Sequence, residues 1–293
     1  MSNGFPIDRF MDGSGKVDLS DIDWSEVPKY ELTSEAIRTL TYFLKTEGST
    51  FFYVKALMKT KASVEEPDVA PFLCVWMYEE EFHGRAFKKF LQAYGVDVPD
   101  SYRAEMFAKR SVGERIDEVG QSVLSRIFPE AWPAVHMTWG VVQEFTTYCA
   151  YQALIDRINH PILNVICQRI MKQELKHMAF YKDQAKRRLA RSKRNQQVTT
   201  AALKLAWTPV GDGMCEKDDS VHAIKFLFDG IEGPYCDLID QKMRELPGLE
   251  WFDLFTKFVK DHNIGKAPDS WFPRRGLVNH VNHDENETAI AAE

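Results

Sequence analysis

The chain has 293 residues, of which 44% are hydrophobic and 12% aromatic, and its formal net charge is −6. This composition supplies a substantial core, and the mild charge gives no reason to expect nucleic-acid binding. The five cysteines form no CxxC pair, so we expect reduced thiols. Residues 1–30 do not resemble a signal peptide, and no apolar run is long enough to span a bilayer, so we expect a soluble cytoplasmic protein.

The first long helix is predicted to follow an extended arm formed by residues 1–32. Thr33 or Ser34 suits its N-cap, and the apolar pattern continues to about Thr60. One position of the apolar stripe holds a carboxylate instead, and this residue is Glu47.

The second long helix is predicted to begin at Pro67, and Gly95 suits its end. Glu80 and His83 interrupt its apolar stripe. Residues three apart lie on one face of a helix, so this carboxylate and this imidazole point the same way. A crossover follows, with a predicted helix over about Val112–Phe128.

The third and fourth long helices repeat this feature. The third spans about Ala131–Ile158 and carries Glu144 in its stripe, with Thr147 one turn later on the same side. The fourth begins at Pro161, behind Asn159 or His160 as cap, and runs to about Arg191. Its stripe contains Glu174 and His177, again three residues apart.

The rest of the chain is predicted to surround this core bundle of residues 33–192. A polar connector covers 193–219, with a short helix near 199–207, and accessory helices cover 220–262. We place one helical domain at 33–265. The tail at 277–293 has few apolar residues, and we expect it to be disordered.

Four carboxylates and two imidazoles at one level of a dry core need counter-charge, because unpaired buried ions are costly. Two divalent cations neutralise four carboxylates, and this ligand set occurs in di-iron and di-manganese helical bundles. Carboxylate oxygens with one imidazole per metal suit iron or manganese better than zinc. The predicted ligands are Glu47, Glu80, His83, Glu144, Glu174 and His177. We expect Glu80 and Glu174 to bridge, Glu47 with His83 to flank one metal, and Glu144 with His177 the other.

Several neighbouring residues have two interpretations. Glu79 and Glu81 lie off the stripe, as surface groups or as groups that contact the ligands. Thr147 either faces the O₂ site or is a core residue. Four aromatic residues either line an acyl-chain channel or pack in the core: Phe51, Phe87, Tyr148 and Tyr151. The basic end of the fourth helix either complements the helix dipole or docks an acidic carrier protein.

Two short strings resemble the soluble acyl-carrier-protein desaturases. The segment from Glu79 to Gly84 is similar to their Glu-Glu-x-x-His-Gly, and the segment from Gln143 to Thr147 to their Gln-Glu-x-x-Thr. The resemblance covers about residues 34–190 and implies an all-α, ferritin-like four-helix bundle with additional crossover and C-terminal helices. It places Thr147 at the active-site threonine of the family.

The chain departs from this family at Gln173, where desaturases usually have Asp, and at Lys176, where they usually have Arg. In ribonucleotide reductase small subunits of the same class, a radical Tyr commonly lies four residues after the first motif His. Phe87 occupies that position here, which argues against that role.

The resemblance implies an enzyme, a di-iron oxidoreductase with O₂ as co-substrate. Two irons, or a manganese–iron pair, receive electrons from a ferredoxin-like donor and remove hydrogen from an unactivated C–H of a fatty acyl chain. An acyl carrier protein or CoA would carry that chain. The alternatives are a di-iron N-oxygenase or hydroxylase acting on a small molecule in a biosynthetic pathway, and a ferritin-like metal-binding protein without turnover. A homodimer is a further family expectation.

Overall fold

The structure is a computed structural model, which describes residues 4–108, 124–211, 215, 217–229, 232–264 and 271. These residues contain α-helices and a short 3-10 helix at Trp24–Lys29, and no β-strand occurs among them. The α-helices are α1 (Ile7–Asp12), α2 (Ser34–Glu47), α3 (Thr50–Leu57), α4 (Lys61–Glu65), α5 (Val69–Tyr94), α6 (Tyr102–Ala108), α7 (Trp132–Ile158), α8 (Pro161–Arg191), α9 (Lys193–Ala206), α10 (Lys217–Phe228), α11 (Glu232–Arg244) and α12 (Leu254–Asp261).

Four helices enclose the central core. α7 packs along α8, α2 packs along α5, and α5 also contacts α8. Their inward faces bury large apolar side chains such as Leu40, Phe87, Tyr151 and Ile170, each with 0% exposure. The all-α prediction is confirmed for the described residues, whereas the ferritin-like assignment stays a prediction.

The predicted helix ends agree with the local chemistry at three points. Thr33 Oγ1 accepts a hydrogen bond from the Ala36 backbone N–H and caps α2. Gly95 follows α5 with φ of +97°, the left-handed conformation that favours glycine. His160 caps α8, and Pro161 is its first residue.

The first predicted helix is wrong in its length. α2 ends at Glu47, and α3 begins at Thr50 after a break at Gly48 and Ser49. Gly48 lies against Gly84 of α5, where a Cβ on Gly84 would meet the Gly48 nitrogen at 3.3 Å. This close approach brings Glu47 beside α5. The second helix also differs slightly, since it begins at Val69 rather than Pro67.

The sequence predicted an extended N-terminal arm, but the arm contains helical segments. It forms α1 and the 3-10 helix, and it buries apolar side chains that the sequence had not assigned to the core, among them Phe10, Val17 and Val27. The Phe10 ring centroid lies 5.4 Å from that of Phe72 in α5. The arm therefore covers part of the bundle because its apolar residues pack against the long helices.

The C-terminal helices form where the sequence placed helical segments, with shifted bounds. α9 is longer than the predicted 199–207 helix, and α10 packs against both α2 and α7. Most of the predicted crossover helix and all of the 277–293 tail lie outside the described residues. None of the described helices combines the length and the apolar character that crossing a membrane requires.

Candidate metal centre

All six predicted ligands meet inside the four-helix core. α2 supplies one carboxylate, α7 another, and α5 and α8 each supply a carboxylate with an imidazole. All are buried, with exposures of 4% for Glu47, 5% for Glu80, 0% for His83, 5% for Glu144, 1% for Glu174 and 0% for His177. They form two overlapping groups whose ligand atoms lie within 4.8 Å of one another.

The His83 end of the cluster is defined by three carboxylates around one ring nitrogen. His83 Nδ1 lies 3.5 Å from Glu47 Oε2 and 3.7 Å from Glu80 Oε2. The same nitrogen lies 3.2 Å from Glu174 Oε1. One cation between these atoms would touch four ligands from three helices.

The His177 end repeats this arrangement. His177 Nδ1 lies 3.2 Å from Glu80 Oε1 and 3.5 Å from Glu144 Oε2. It also lies 3.5 Å from Glu174 Oε2. Glu80 and Glu174 therefore belong to both ends, and each directs one oxygen toward each imidazole.

Several inward atoms of this cluster have no hydrogen-bond partner. They are His83 Nδ1, His177 Nδ1, Glu80 Oε1 and Glu174 Oε1. Buried polar atoms are almost always paired, because an unpaired one loses its hydration without compensation. One cation at each end would satisfy all four atoms, so the cluster can hold metal.

The titration behaviour shows how the cluster balances its charge without metal. Burial, together with repulsion from neighbouring carboxylates, raises the pKa of Glu47 and of Glu144 well above the usual range. Burial alone would lower the pKa of His83 and His177, but the surrounding carboxylates outweigh it and raise both pKa values. The excess of negative charge in the cluster therefore favours bound protons, or a cation in their place.

The outer ring nitrogens face the N-terminal arm and have good partners. His177 Nε2 lies 2.7 Å from Glu79 Oε2, and His83 Nε2 lies 2.8 Å from Gln173 Oε1. Of the two interpretations of Glu79, the structure shows the buried one, since its exposure is 0% and it contacts His177. Glu81 instead pairs with Arg85 and Arg103 near the surface.

Gly15 of the arm completes this outer network. Its N–H donates to Glu79 Oε1 at 2.9 Å, and its carbonyl accepts from Gln173 Nε2 at 2.7 Å. Gln173 Nε2 also donates to Glu79 Oε1 at 2.8 Å. We call Gly15, Glu79 and Gln173 the arm face of the centre. The participation of Gly15 could not be predicted from the sequence, because Gly15 and Glu79 are 64 positions apart.

The opposite side of the centre borders a small cavity. It has a volume of about 30 Å³, room for one or two water-sized molecules. Among its lining residues are Glu47, Thr146 and Thr147, with Ile224 and Leu227 from α10. We call Glu47, Thr146 and Thr147 the cavity face.

The predicted threonine therefore has a neighbour that the sequence had not singled out. Thr147 lines the cavity, as does Thr146, whose hydroxyl is buried without a hydrogen-bond partner. On the other side of Glu47, the Tyr151 hydroxyl donates to Glu47 Oε1 at 2.6 Å. Glu47 Oε2 therefore remains available to the cluster.

The proposed acyl channel residues do not line this cavity. Phe51 is 56% exposed because α2 ends before it. Phe87 and Tyr151 are buried and both stack on Phe43, so they pack the core. Tyr148 stacks on Phe145.

The basic end of α8 is largely paired within the chain. Lys182 contacts Glu245, and Arg187 contacts Asp68 and Asp183. Arg188 pairs with Glu66 and Gln184. Docking of an acidic carrier protein at this end stays a prediction.

Comparisons with protein-family models, curated proteins and solved structures find no match to this chain. We therefore infer function from the geometry of the site.

Proposed function

We propose that this chain is an O₂-dependent di-iron oxidase of the ferritin-like helical class that acts on an unactivated C–H. The first candidate reaction is desaturation of a fatty acyl chain on a carrier protein or CoA. Glu47, Glu80, His83, Glu144, Glu174 and His177 would hold the two ions.

The observation that carries this proposal is the pair of unpartnered ring nitrogens at the cluster centre. His83 Nδ1 and His177 Nδ1 are buried, lack hydrogen-bond partners and face the same two carboxylates from opposite sides. Their other nitrogens are already engaged by Gln173 and Glu79. This is the orientation of an imidazole that binds a metal, with its second nitrogen held by an outer partner.

The ligand chemistry favours iron or manganese. Each end offers three carboxylates and one imidazole, and there is no cysteine in either group. Hard oxygen donors with one nitrogen suit these metals better than zinc, whose sites favour thiolate and imidazole. Two bound redox-active ions would supply the activation of O₂.

The protein residues around the ions would position reactants and exclude water. The aromatic and aliphatic core seals the centre on most sides, whereas the cavity face leaves space beside Glu47. The hydroxyls of Thr146 and Thr147 line that space and can orient a small polar reactant or pass a proton. An external reductant, such as a ferredoxin-like protein, would supply electrons.

The cavity also favours a second candidate, an oxygenase acting on a small molecule. The cavity of about 30 Å³ has room for a small reactant beside Glu47, and the four proposed acyl-channel residues do not line it. An N-oxygenase or hydroxylase reaction therefore stands beside desaturation. The two differ in their products, because desaturation removes two hydrogens and oxygenation adds oxygen.

Iron loading followed by O₂ exposure tests the proposal. The purified chain is loaded anaerobically with Fe²⁺, its iron content is measured, and O₂ uptake is recorded with a chemical reductant. We expect two irons per chain and O₂ uptake that depends on them. Intact-mass analysis with acyl-carrier and small amine substrates then separates desaturation from oxygenation.

Glu81→Gln is the matched control, since Glu81 lies beside the cluster without facing it. The Glu81→Gln variant should bind iron and take up O₂ as the wild type does, whereas Glu80→Gln should do neither. Two bound irons without O₂ uptake would favour a non-catalytic metal-binding protein. Failure to bind iron or manganese would overturn the proposal altogether.

A further inference from the structure

The inner surroundings of the two metal positions are closely matched. His83 Nδ1 and His177 Nδ1 each face three carboxylates within 3.7 Å, and two of these carboxylates are shared. One private carboxylate completes each end, Glu47 or Glu144. Neither charge nor ligand number in this inner set distinguishes the two positions.

The outer partners of the imidazoles differ in charge. His177 Nε2 meets the carboxylate of Glu79, whereas His83 Nε2 meets the amide oxygen of Gln173. Glu and Gln have the same shape and length. The two positions therefore differ by one negative charge at nearly constant geometry.

The amide at Gln173 follows from its contacts. The carbonyl of Gly15 can only accept a hydrogen bond, so the atom facing it at 2.7 Å must be the Gln173 nitrogen. That nitrogen also donates to Glu79 Oε1 at 2.8 Å. An ionised carboxylate at residue 173 would set two anions against each other here, so the network accepts one carboxylate.

Three hydrogen-bond donors stabilise Glu79 in its ionised form. The Gly15 N–H and the Gln173 amide donate to Oε1, and His177 donates to Oε2. A carboxylate that accepts the outer N–H of a metal-binding imidazole makes that imidazole a stronger ligand, and removing it typically weakens metal binding 10–100-fold. A neutral amide provides orientation with less of this effect.

On the basis of the proposed dinuclear centre, we propose that its two metal positions are inequivalent. Glu79 is the positioning residue that makes them differ. The position beside His177 and Glu144 binds a divalent cation more tightly and fills first. The position beside His83 and Glu47 fills second. The chain can therefore hold one ion before two, or two different ions in a set order.

Titration with Mn²⁺, followed by the EPR signal of the free ion, measures this order. The wild type should bind two ions in separate steps, with dissociation constants that differ about tenfold or more. Glu144→Ala should remove the tighter step, whereas Glu47→Ala should leave it and remove the weaker one. These two variants identify which position each step reports.

Glu79→Gln tests the cause of the difference. The change keeps shape and removes charge, so the tighter step should weaken about tenfold and approach the weaker one. Glu81→Gln removes the same charge from the same helix without contacting an imidazole, and it should leave both steps unchanged. Helical circular dichroism checks that each variant folds.

The outcomes separate this inference from the proposed function. Two ions bound in equal steps would overturn the inequivalence, loss of the tighter step in Glu47→Ala would overturn the order, and equal responses of the two Gln variants would overturn the role of Glu79. Each of these outcomes would leave the dinuclear centre standing. Binding of fewer than two ions by the wild type would overturn both. If Glu79→Gln does not fold, the Glu47→Ala and Glu144→Ala pair still decides the order.

Discussion

The arm face and the cavity face differ in how completely their polar atoms are paired. On the arm face, both oxygens of Glu79 accept hydrogen bonds, and both amide atoms of Gln173 are used. On the cavity face, the Thr146 hydroxyl has no partner, and Glu47 borders open space. We infer that the arm face holds the imidazoles in place and that small reactants meet the centre from the cavity face.

The shared carboxylates lie between these faces, so their loss should have the largest effect. Glu80→Gln removes a charge that faces both imidazoles, at 3.7 Å from His83 Nδ1 and 3.2 Å from His177 Nδ1. Removing one partner of buried opposite charges leaves the others uncompensated. We expect the variant to lose both ions, as measured by elemental analysis after dialysis. Retention of two ions would show that Glu80 is not a shared ligand.

The N-terminal arm should contribute strongly to stability. Phe10→Ala removes a buried ring that packs on Phe72 and lies 6.3 Å from the His177 ring. Truncating a buried Phe typically costs about 3 kcal/mol or more, and the arm should loosen over Glu79. Chemical denaturation measures the loss.

Phe51→Ala is the matched control for that substitution, because its ring is 56% exposed. It should change the free energy of unfolding by no more than about 0.5 kcal/mol. Equal effects of the two truncations would show that the arm does not pack on the bundle in solution.

Titration should separate the faces further. The pKa values of Glu47, Glu144, His83 and His177 are raised in the metal-free protein, so folding keeps protons that the unfolded chain releases. This stability is present below the unfolded pKa values and is lost as pH rises through the folded ones. On the arm face, burial alone would raise the pKa of Glu79, but the interaction with His177 outweighs burial and lowers the pKa. The stability that Glu79 contributes is therefore lost only in acid.

The metal-free chain should therefore melt several degrees lower at about pH 9 than at about pH 6. Bound divalent ions replace the protons of the cluster, and the Mn²⁺-loaded chain should show a much smaller change. Thermal unfolding in chelator and in excess Mn²⁺ across this range makes the comparison. Parallel curves would mean that these groups do not exchange protons for metal.

The smallest effect on folding is expected at the cavity face. Thr147→Val keeps the shape of a side chain that lines the cavity and removes its hydroxyl. We expect unchanged metal content and a change in the free energy of unfolding within about 0.5 kcal/mol. The amount of O₂ taken up per product formed should rise, because a misplaced reactant uncouples O₂ uptake from product formation. Unchanged coupling in this variant and in Thr146→Val would remove the threonines from the proposed chemistry.

The buried cluster was predictable because each of its six residues interrupts an apolar stripe of helical period. Glu80 with His83 and Glu174 with His177 each lie on one helix face, and burying that face brings them together. The caps at Thr33, Gly95 and His160 depend on local chemistry and were equally readable.

The remaining features depend on contacts between distant segments. The apolar spacing continues through Gly48 and Ser49, so periodicity could not reveal the helix break at these residues. The break occurs where Gly84 of α5 lies against Gly48. Nothing local distinguishes Glu79 from Glu81, and only the arm and α8 decide which one is buried. The cavity likewise requires α10 to pack beside α2 and α7.

Anomalous diffraction at the iron absorption edge, from crystals of the anaerobically iron-loaded chain, tests the dinuclear centre most directly. We predict two peaks inside the four-helix core, one beside His83 Nδ1 and Glu47, the other beside His177 Nδ1 and Glu144, with Glu80 and Glu174 between them. A single peak, or iron bound away from these six side chains, would contradict the account.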